Sequence, residues 1–507
     1  MPEYLTPGVY VEEIEMGAKP IEGVSTSTAG FLGETERGPT KPKLVTSWLQ
    51  YQRIFGSFSE GKYLPYAVKG FFDNGGQRCY IGRIVIASAQ SAALNLKKGD
   101  NDALKVEAIG EGEWGNNIAI KVSKGSLEGF KLSIFCWSEL PGSLYDPDSD
   151  SKTTPRPIAE VFDNISLDEK SPNYYEKSVN GISNLIIIST DGIKSVDMPD
   201  SPSNVTLLEG GNNGKGSIAS SDYERTDITE SGKRKGLSGF EEIDDISIVY
   251  VPNAQDISGL PGALITHCEE LKDRFAIIDS KQGDSDAGSV DPRTSITDTK
   301  YAAFYYPWIK IVDPNAGFLR LIPPGGHIAG IYARSDTERG VFKAPANEIV
   351  RGASELQFQI TKGEQGVLNP KGVNVIRAFP GRGIRVWGAR TMSSDSLWKY
   401  VNVRRLFIFL EESIDDGTQW VVFEPNDEKL WDRVKQTINQ FLTQVWKDGA
   451  LMGTKPEEAF FVKCDRTTMT QNDIDNGRLI VVIGVAPVKP AEFVIFRIGQ
   501  WTAGAKS

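Results

Sequence analysis

Histidine is almost missing from this 507-residue chain: only His267 and His327 occur, and neither stands at the spacing of a metal-ligand or nucleophile-partner motif. Cysteine is scarce as well. Cys79, Cys136, Cys268 and Cys464 are scattered without a CxxC pair, so neither a zinc site nor a disulfide framework is expected. Long apolar runs are lacking. The longest, Leu479 to Val488, falls well short of the ~20 residues a membrane helix needs. Met1-Pro2-Glu3-Tyr4 opens no basic-then-apolar leader, so a chain made in the cytoplasm, with no signal peptide and no membrane insertion, is expected. There is no excess of positive charge either: 56 Lys and Arg face 67 Asp and Glu, a net charge of -11, which argues against a nucleic-acid coat. The basic triplet Lys233-Arg234-Lys235 follows Asp227 and Glu230 and reads as a solvated loop.

Motifs for catalysis fail one by one. Gly214-Lys215 is followed by Gly216 instead of Ser or Thr, so the phosphate-loop signature is incomplete. Asp146, Asp148 and Asp150 have the spacing that opens a calcium loop, but Ser151 stands where the sharp turn requires Gly. Gly381-Arg382-Gly383 lacks the third glycine of a dinucleotide fingerprint, because Val386 occupies its place. No catalytic residue, cofactor site or metal site is expected, although paired carboxylates have no fixed spacing by which to be recognised.

What is present is an ordinary globular composition over a length that suggests roughly three domains of ~150 residues. The chain reads as a multidomain α+β or α/β protein. Residues 1–22 form an extended arm in which Val9, Tyr10 and Val11 favour β structure between breaks at Pro7-Gly8 and at Gly17 and Pro20. Residues 23–90 and 237–369 read as one discontinuous middle domain, with a helix near Trp48 to Phe55 and strands at Cys79 to Ile86, Ile246 to Val251 and Arg274 to Asp279. Ser, Asp, Asn and Gly dominate residues 91–236, which read as an inserted β-rich domain. Residues 370–507 read as a C-terminal core domain. In it Asn426 or Asp427 caps a helix whose Leu430, Trp431, Val434, Ile438, Phe441, Leu442 and Val445 share one face, and Gly449 ends it. A last strand at Glu492 to Ile498, in the arm 490–507, is apolar on both faces and needs burial from two sides.

Three blocks carry a resemblance. They are YYPWIKIVDPNAGFLRLIPPGGHIAGIYARSDTERGVFKAPANEIVRGA at 305–353, NPKGVNVIRAFPGRGIRVWGAR at 369–390, and FEPNDEKLWDRVKQTINQFLTQVWKDGALMGTKPEEAFFVKCD at 423–465. In the first, apolar segments alternate with Pro and Gly breaks and a charged loop. With weaker landmarks at EWGNNIAIKV (113–122), EVFDNIS (160–166) and LLEGGNNG (207–214), the chain resembles the phage-type tail sheath family.

The resemblance implies a structural subunit of a contractile sheath, not an enzyme, that polymerises with itself as a helix of stacked hexameric rings around an inner tube protein. The sheath would shorten to drive the tube through a target envelope, under the control of baseplate and cap proteins, with sheath paralogues as further candidates for the same lattice. It implies that the sheet of the sheath core domain is completed by neighbours' terminal strands, so that Val9, Tyr10, Val11, Phe493, Val494, Ile495, Phe496 and Ile498 act as inter-subunit arms. Donation between identical chains is head-to-tail and either closes into rings or propagates. It also implies an innermost C-terminal domain, with Lys429, Arg433, Lys435 and Lys447 as tube-facing candidates, and an outermost inserted domain. The LNPKGVNVIRAFPGRGIRVWGARTMSS block at 368–394 and the VAPVKPAEFVIFRIGQW ending favour a phage-tail-like injection system, made in the bacterial cytoplasm and released or membrane-anchored as a particle. A contractile phage tail is the alternative, and outside the family a shell or surface-layer subunit.

Overall fold

A computed structural model describes residues 20–193, 196–201 and 204–498. The chain divides into two compact units, one of residues 25–405 and one formed by the first 24 residues with 406–507. Several sheets and interleaved helices make it a mixed α/β multidomain protein.

The larger unit is built on an eight-stranded sheet. Its strands are β1 (Ala29–Gly33), β2 (Lys43–Val45), β3 (Cys79–Arg83), β4 (Ile248–Tyr250), β5 (Phe275–Asp279), β6 (Ala302–Tyr306), β7 (Val373–Phe379) and β8 (Gly383–Val386), in the order β8-β7-β6-β5-β4-β1-β3-β2. The six inner strands run parallel, and an antiparallel strand closes each edge. Every residue of β1, β4, β5 and β6 is buried, as expected of parallel strands covered on both faces. In chain order the inner strands read second, first, third to sixth across the sheet, so the order reverses at β1. Strands β7 and β8 lie beyond residue 370 yet complete this sheet, whereas the sequence suggested that a separate C-terminal domain begins there.

Helices α1 (Leu64–Asp73), α2 (Leu260–Leu271) and α3 (Gly325–Arg339) pack on the sheet. Helix α3 corrects the sequence reading, which placed Gly breaks and a charged loop where a single 15-residue helix runs. Glycine is costly inside a helix by about 1 kcal/mol, but here close approach decides the matter. A Cβ at Gly326 would collide with the backbone of Ala67, one at Gly330 with that of Phe71, and one at Gly70 with the His327 ring. At the far end of α3, Arg405 grips Asp336 with both arms, Nη1 to Oδ1 at 2.9 Å and Nη2 to Oδ2 at 2.6 Å, and each side chain is 4% exposed. Thr26 joins them, its Oγ1 donating to Asp336 Oδ2 at 2.8 Å and its carbonyl accepting from Arg405 Nη2 at 2.7 Å.

Residues 93–207 contribute two antiparallel sheets. One orders Thr206–Leu207, Ile118–Lys124, Phe130–Cys136 and Ile158–Ile165; the other orders Ala93–Lys98, Asn101–Ala108 and Ile186–Ser189. They share a buried cluster that includes Val106, Ile120, Leu132, Ile134 and Ile186.

In the smaller unit, helix α4 (Val401–Thr418), from Leu406 onward, packs against the chain's early residues: Val24 N donates to Ser413 Oγ at 3.1 Å. Helix α5 (Glu428–Lys447) starts at Asp427, whose side chain accepts from Leu430 N, and Gly449 follows its end with φ of 87°. All seven apolar residues expected on its inner face are buried. A two-stranded antiparallel sheet, β9 (Phe460–Lys463) with β10 (Val482–Val485), completes the unit. No strand forms over 492–498, contrary to the sequence reading.

Candidate subunit interface

A pair of strands is marginal on its own and leaves open edges, because backbone donors and acceptors on the outer sides lack partners. Among the described residues, the chain next to β9 and β10 adds a bridge from Leu451 to Pro487 and bonds from Met452 N to Ala486 O, Ala486 N to Ala459 O and Val488 N to Ala450 O. Beyond them the chain turns apolar and stays in the open. Phe493, Val494, Ile495, Phe496 and Ile498 are 68 to 95% exposed. Burying such side chains is each worth roughly 1.5–3 kcal/mol, so a solvent-exposed run of five is a surface that gains much from being covered. Val9, Tyr10 and Val11 lie outside the described residues.

The same unit carries an apolar groove of about 770 Å³ lined by Ile414, Val422, Phe423, Leu430, Val434, Ile438, Leu479, Val481 and Ile483. Phe423 at its rim is fully exposed and holds φ of 68°, a left-handed conformation that is strained for an aromatic residue. Sequence reasoning missed this groove because its walls come from three separate segments.

The four basic candidates on α5 do not share one face. Lys429, Arg433 and Lys447 are exposed and fall on one stripe with Gln436, Gln440 and Gln444, at steps of three and four residues and with no acidic member. Lys429 and Lys447 make no ion pair among the described residues, while Arg433 lies over the Trp420 ring at 4.5 Å with Glu424 4.0 Å away. Lys435 points elsewhere: it is half-buried and bonded to Asp432 Oδ1 at 2.9 Å, and that bond raises its pKa.

The incomplete calcium loop holds no ligand-like geometry. Lys121 Nζ bonds Asp146 at 2.6 Å and lies 3.8 Å from Asp148, filling the acidic loop with the protein's own cation. Lys233, Arg234 and Lys235 pair with Glu230, Glu241 and Glu111. Burial pushes His267 and His327 down to about 4, so both are neutral near pH 7. All four cysteines are buried and free. Among the described residues there is no cluster of three or more His, Cys, Asp or Glu arranged for a metal, and no helix long and apolar enough to cross a membrane.

Fold and surface together define a mixed α/β multidomain protein whose C-terminal unit offers open strand edges and an uncovered apolar segment. The profile of the phage tail sheath central domain matches residues 222–392 and that of the phage tail sheath C-terminal domain matches 393–500, and the chain belongs to this family. The tail sheath protein of Vibrio phage KVP40 is 29% identical over 195 residues, covering 38% of this chain and 28% of the relative. That of Salmonella phage ViI is 25% identical over 266 residues, covering 48% and 41%. The chain thus spans less than half the length of these phage relatives. A chain of the anti-feeding prophage baseplate is 25% identical, covers 99% of this chain and 100% of its own length, and superposes with a TM-score of 0.59. A chain of the PVC sheath complex, an extracellular contractile injection system in the contracted state, shares the fold at 24% identity and a TM-score of 0.61 over 99% of both chains.

Proposed function

We propose that this protein is the structural subunit of a contractile sheath that polymerises around an inner tube and shortens to drive that tube through a target envelope, in a phage-tail-like injection system. The observation that carries the reading is the uncovered terminal segment, Phe493 to Ile498, on a unit whose sheet has two strands among the described residues. An added strand gains backbone hydrogen bonds along an open edge and seats alternate side chains in apolar walls, as the groove beside Leu479, Val481 and Ile483 offers. The first residues, with Val9, Tyr10 and Val11, act as the second donor. Over matches of nearly full length, identity is 25% to the anti-feeding prophage chain against 11 to 12% to the sheath tail proteins of Listeria innocua and Desulfitobacterium hafniense, which favours the injection-system context.

The stripe of Lys429, Arg433 and Lys447 faces an acidic tube surface, and residues 91–236 form the outer domain, where loops interfere least with assembly. Contraction needs two lattice packings differing by only a few kcal/mol per copy, because the difference is summed over a cooperative polymer. Baseplate and cap proteins bound the polymer at its ends.

Negative-stain electron microscopy of the full-length chain beside versions lacking residues 1–17 or 490–507 tests this. Helical tubes from the first and monomers from both truncations are expected. Monomers in all three, with the tube protein also failing to template assembly, overturn the reading.

A further inference from the structure

The loops after β1 and β3 open into a crevice of about 560 Å³ at the carboxyl ends of these two parallel strands, one strand pair away from the β1–β4 boundary where the strand order reverses. Two cations line it. Arg83, 5% exposed, spends Nη1 on the carbonyls of Glu111 (2.7 Å) and Gly38 (3.3 Å) and leaves Nε with no partner. Lys62 Nζ donates to the Thr35 carbonyl at 2.9 Å. Neither forms an ion pair among the described residues; Glu34 and Glu111 act on Arg83 only through space. Burial accordingly pulls both cations' pKa values down.

A buried charge without a paired counter-charge is costly and is ordinarily neutralised by a bound partner. The opposite wall is the Gly214-Lys215-Gly216 loop that the sequence marks as a failed phosphate loop. It is pinned in place by bonds from Gly214 N to Asn212 Oδ1 and Lys215 N to Ser88 Oγ, both at 3.1 Å. The Gly216 and Ser217 amides in that wall make no hydrogen bond among the described residues. Glu34 and Glu113 stand exposed at the mouth, and Glu36, also in the lining, is already held by Ser57 N at 2.8 Å and Arg37 Nη1 at 3.3 Å.

We infer that this crevice binds a small molecule carrying one oxyanion, a phosphate or carboxylate, on an uncharged or cationic body. The oxyanion sits on Arg83, Lys62 and the amides of Gly216 and Ser217, and the acidic mouth disfavours a second anionic group. The site is independent of assembly, since it involves neither the terminal segments nor the smaller unit.

Isothermal titration of the full-length chain with inorganic phosphate and with phosphoethanolamine, against chloride at matched ionic strength, tests the inference. Saturable one-to-one binding is expected at about 10 mM ligand, where a millimolar Kd is nearly saturated. Lys62→Met should weaken binding by roughly ten- to hundredfold, the worth of one hydrogen bond to a charged group. Glu34→Gln should tighten it, a gain that misfolding cannot mimic. No saturable binding of either probe, or equal affinity in wild type, Lys62→Met and Glu34→Gln, overturns the site.

Discussion

Replacing Asp336 by Asn keeps the shape of the buried pair with Arg405 and removes its negative charge. The guanidinium stays at 4% exposure and loses the two charged bonds of 2.9 and 2.6 Å. The Asn amide must also turn its NH₂ group toward an Arg405 arm in either flip, because each carboxylate oxygen of Asp336 accepts from one of the two arms. Breaking a buried pair from one side typically costs about 3–5 kcal/mol. Asp336→Asn should therefore lower unfolding stability by that amount, measured by equilibrium urea unfolding of the full chain with tryptophan fluorescence and circular dichroism. The double variant Asp336→Leu/Arg405→Leu, which removes both charges and fills the space, should recover most of the loss. A single variant within about 0.5 kcal/mol of wild type would refute the reasoning, since that is the range of surface substitutions with no buried partner.

Burial lifts the Asp279 carboxyl to about 7, with Tyr250 Oη donating to it at 2.5 Å. From pH ~4 to 7 the native state then holds a proton that the unfolded chain has lost, so this group lowers stability as pH rises. His267 and His327, held neutral down to about 4, do the reverse between pH ~4 and 6.5. In pH-dependent urea unfolding, Asp279→Asn should therefore steepen the rise of stability below pH 6.5 by about one proton; unchanged slope counts against a buried carboxyl that titrates late. Gly330→Ala should destabilise by about 1–3 kcal/mol despite alanine's better helix propensity, because its Cβ meets the Phe71 carbonyl, and a rise in Tm would contradict the packing. Charge reversal at Lys429, Arg433 and Lys447 together should weaken co-sedimentation with the tube protein, whereas Lys435→Glu should leave it intact; equal effects would remove the stripe as the contact.

Where burial alone decides, the sequence was legible. Helix α5 was readable from Asp427 to Gly449 because its apolar residues repeat at helical spacing and a side-chain cap opens it. The β4, α2 and β5 stretch was readable because fully buried strands are short apolar runs ended by Pro252 or Asp279. Helix α3 was not, since Pro323-Pro324-Gly325-Gly326 has the local chemistry of a turn and only the distant α1 backbone makes glycine the better choice. The strand expected at 492–498 has the right composition but pairs with no strand among the described residues, and strand pairing is not written in composition. On the candidate interface, the residue types are visible at Lys429, Arg433, Lys435 and Lys447, but the angle that sets Lys435 apart, about 120° from Lys429 and Lys447 and about 160° from Arg433, follows from helix phase and not from residue type.

Gly70, Gly326 and Gly330 have a mechanical meaning beyond packing. A helix pair in which bare backbones touch works as a keyed joint, because an axial slip of either helix would carry a side chain into a gap sized for a hydrogen atom. Shear across α1 and α3 therefore meets steep repulsion and not a soft sliding surface. Load applied along either helix thus passes to the other with little loss.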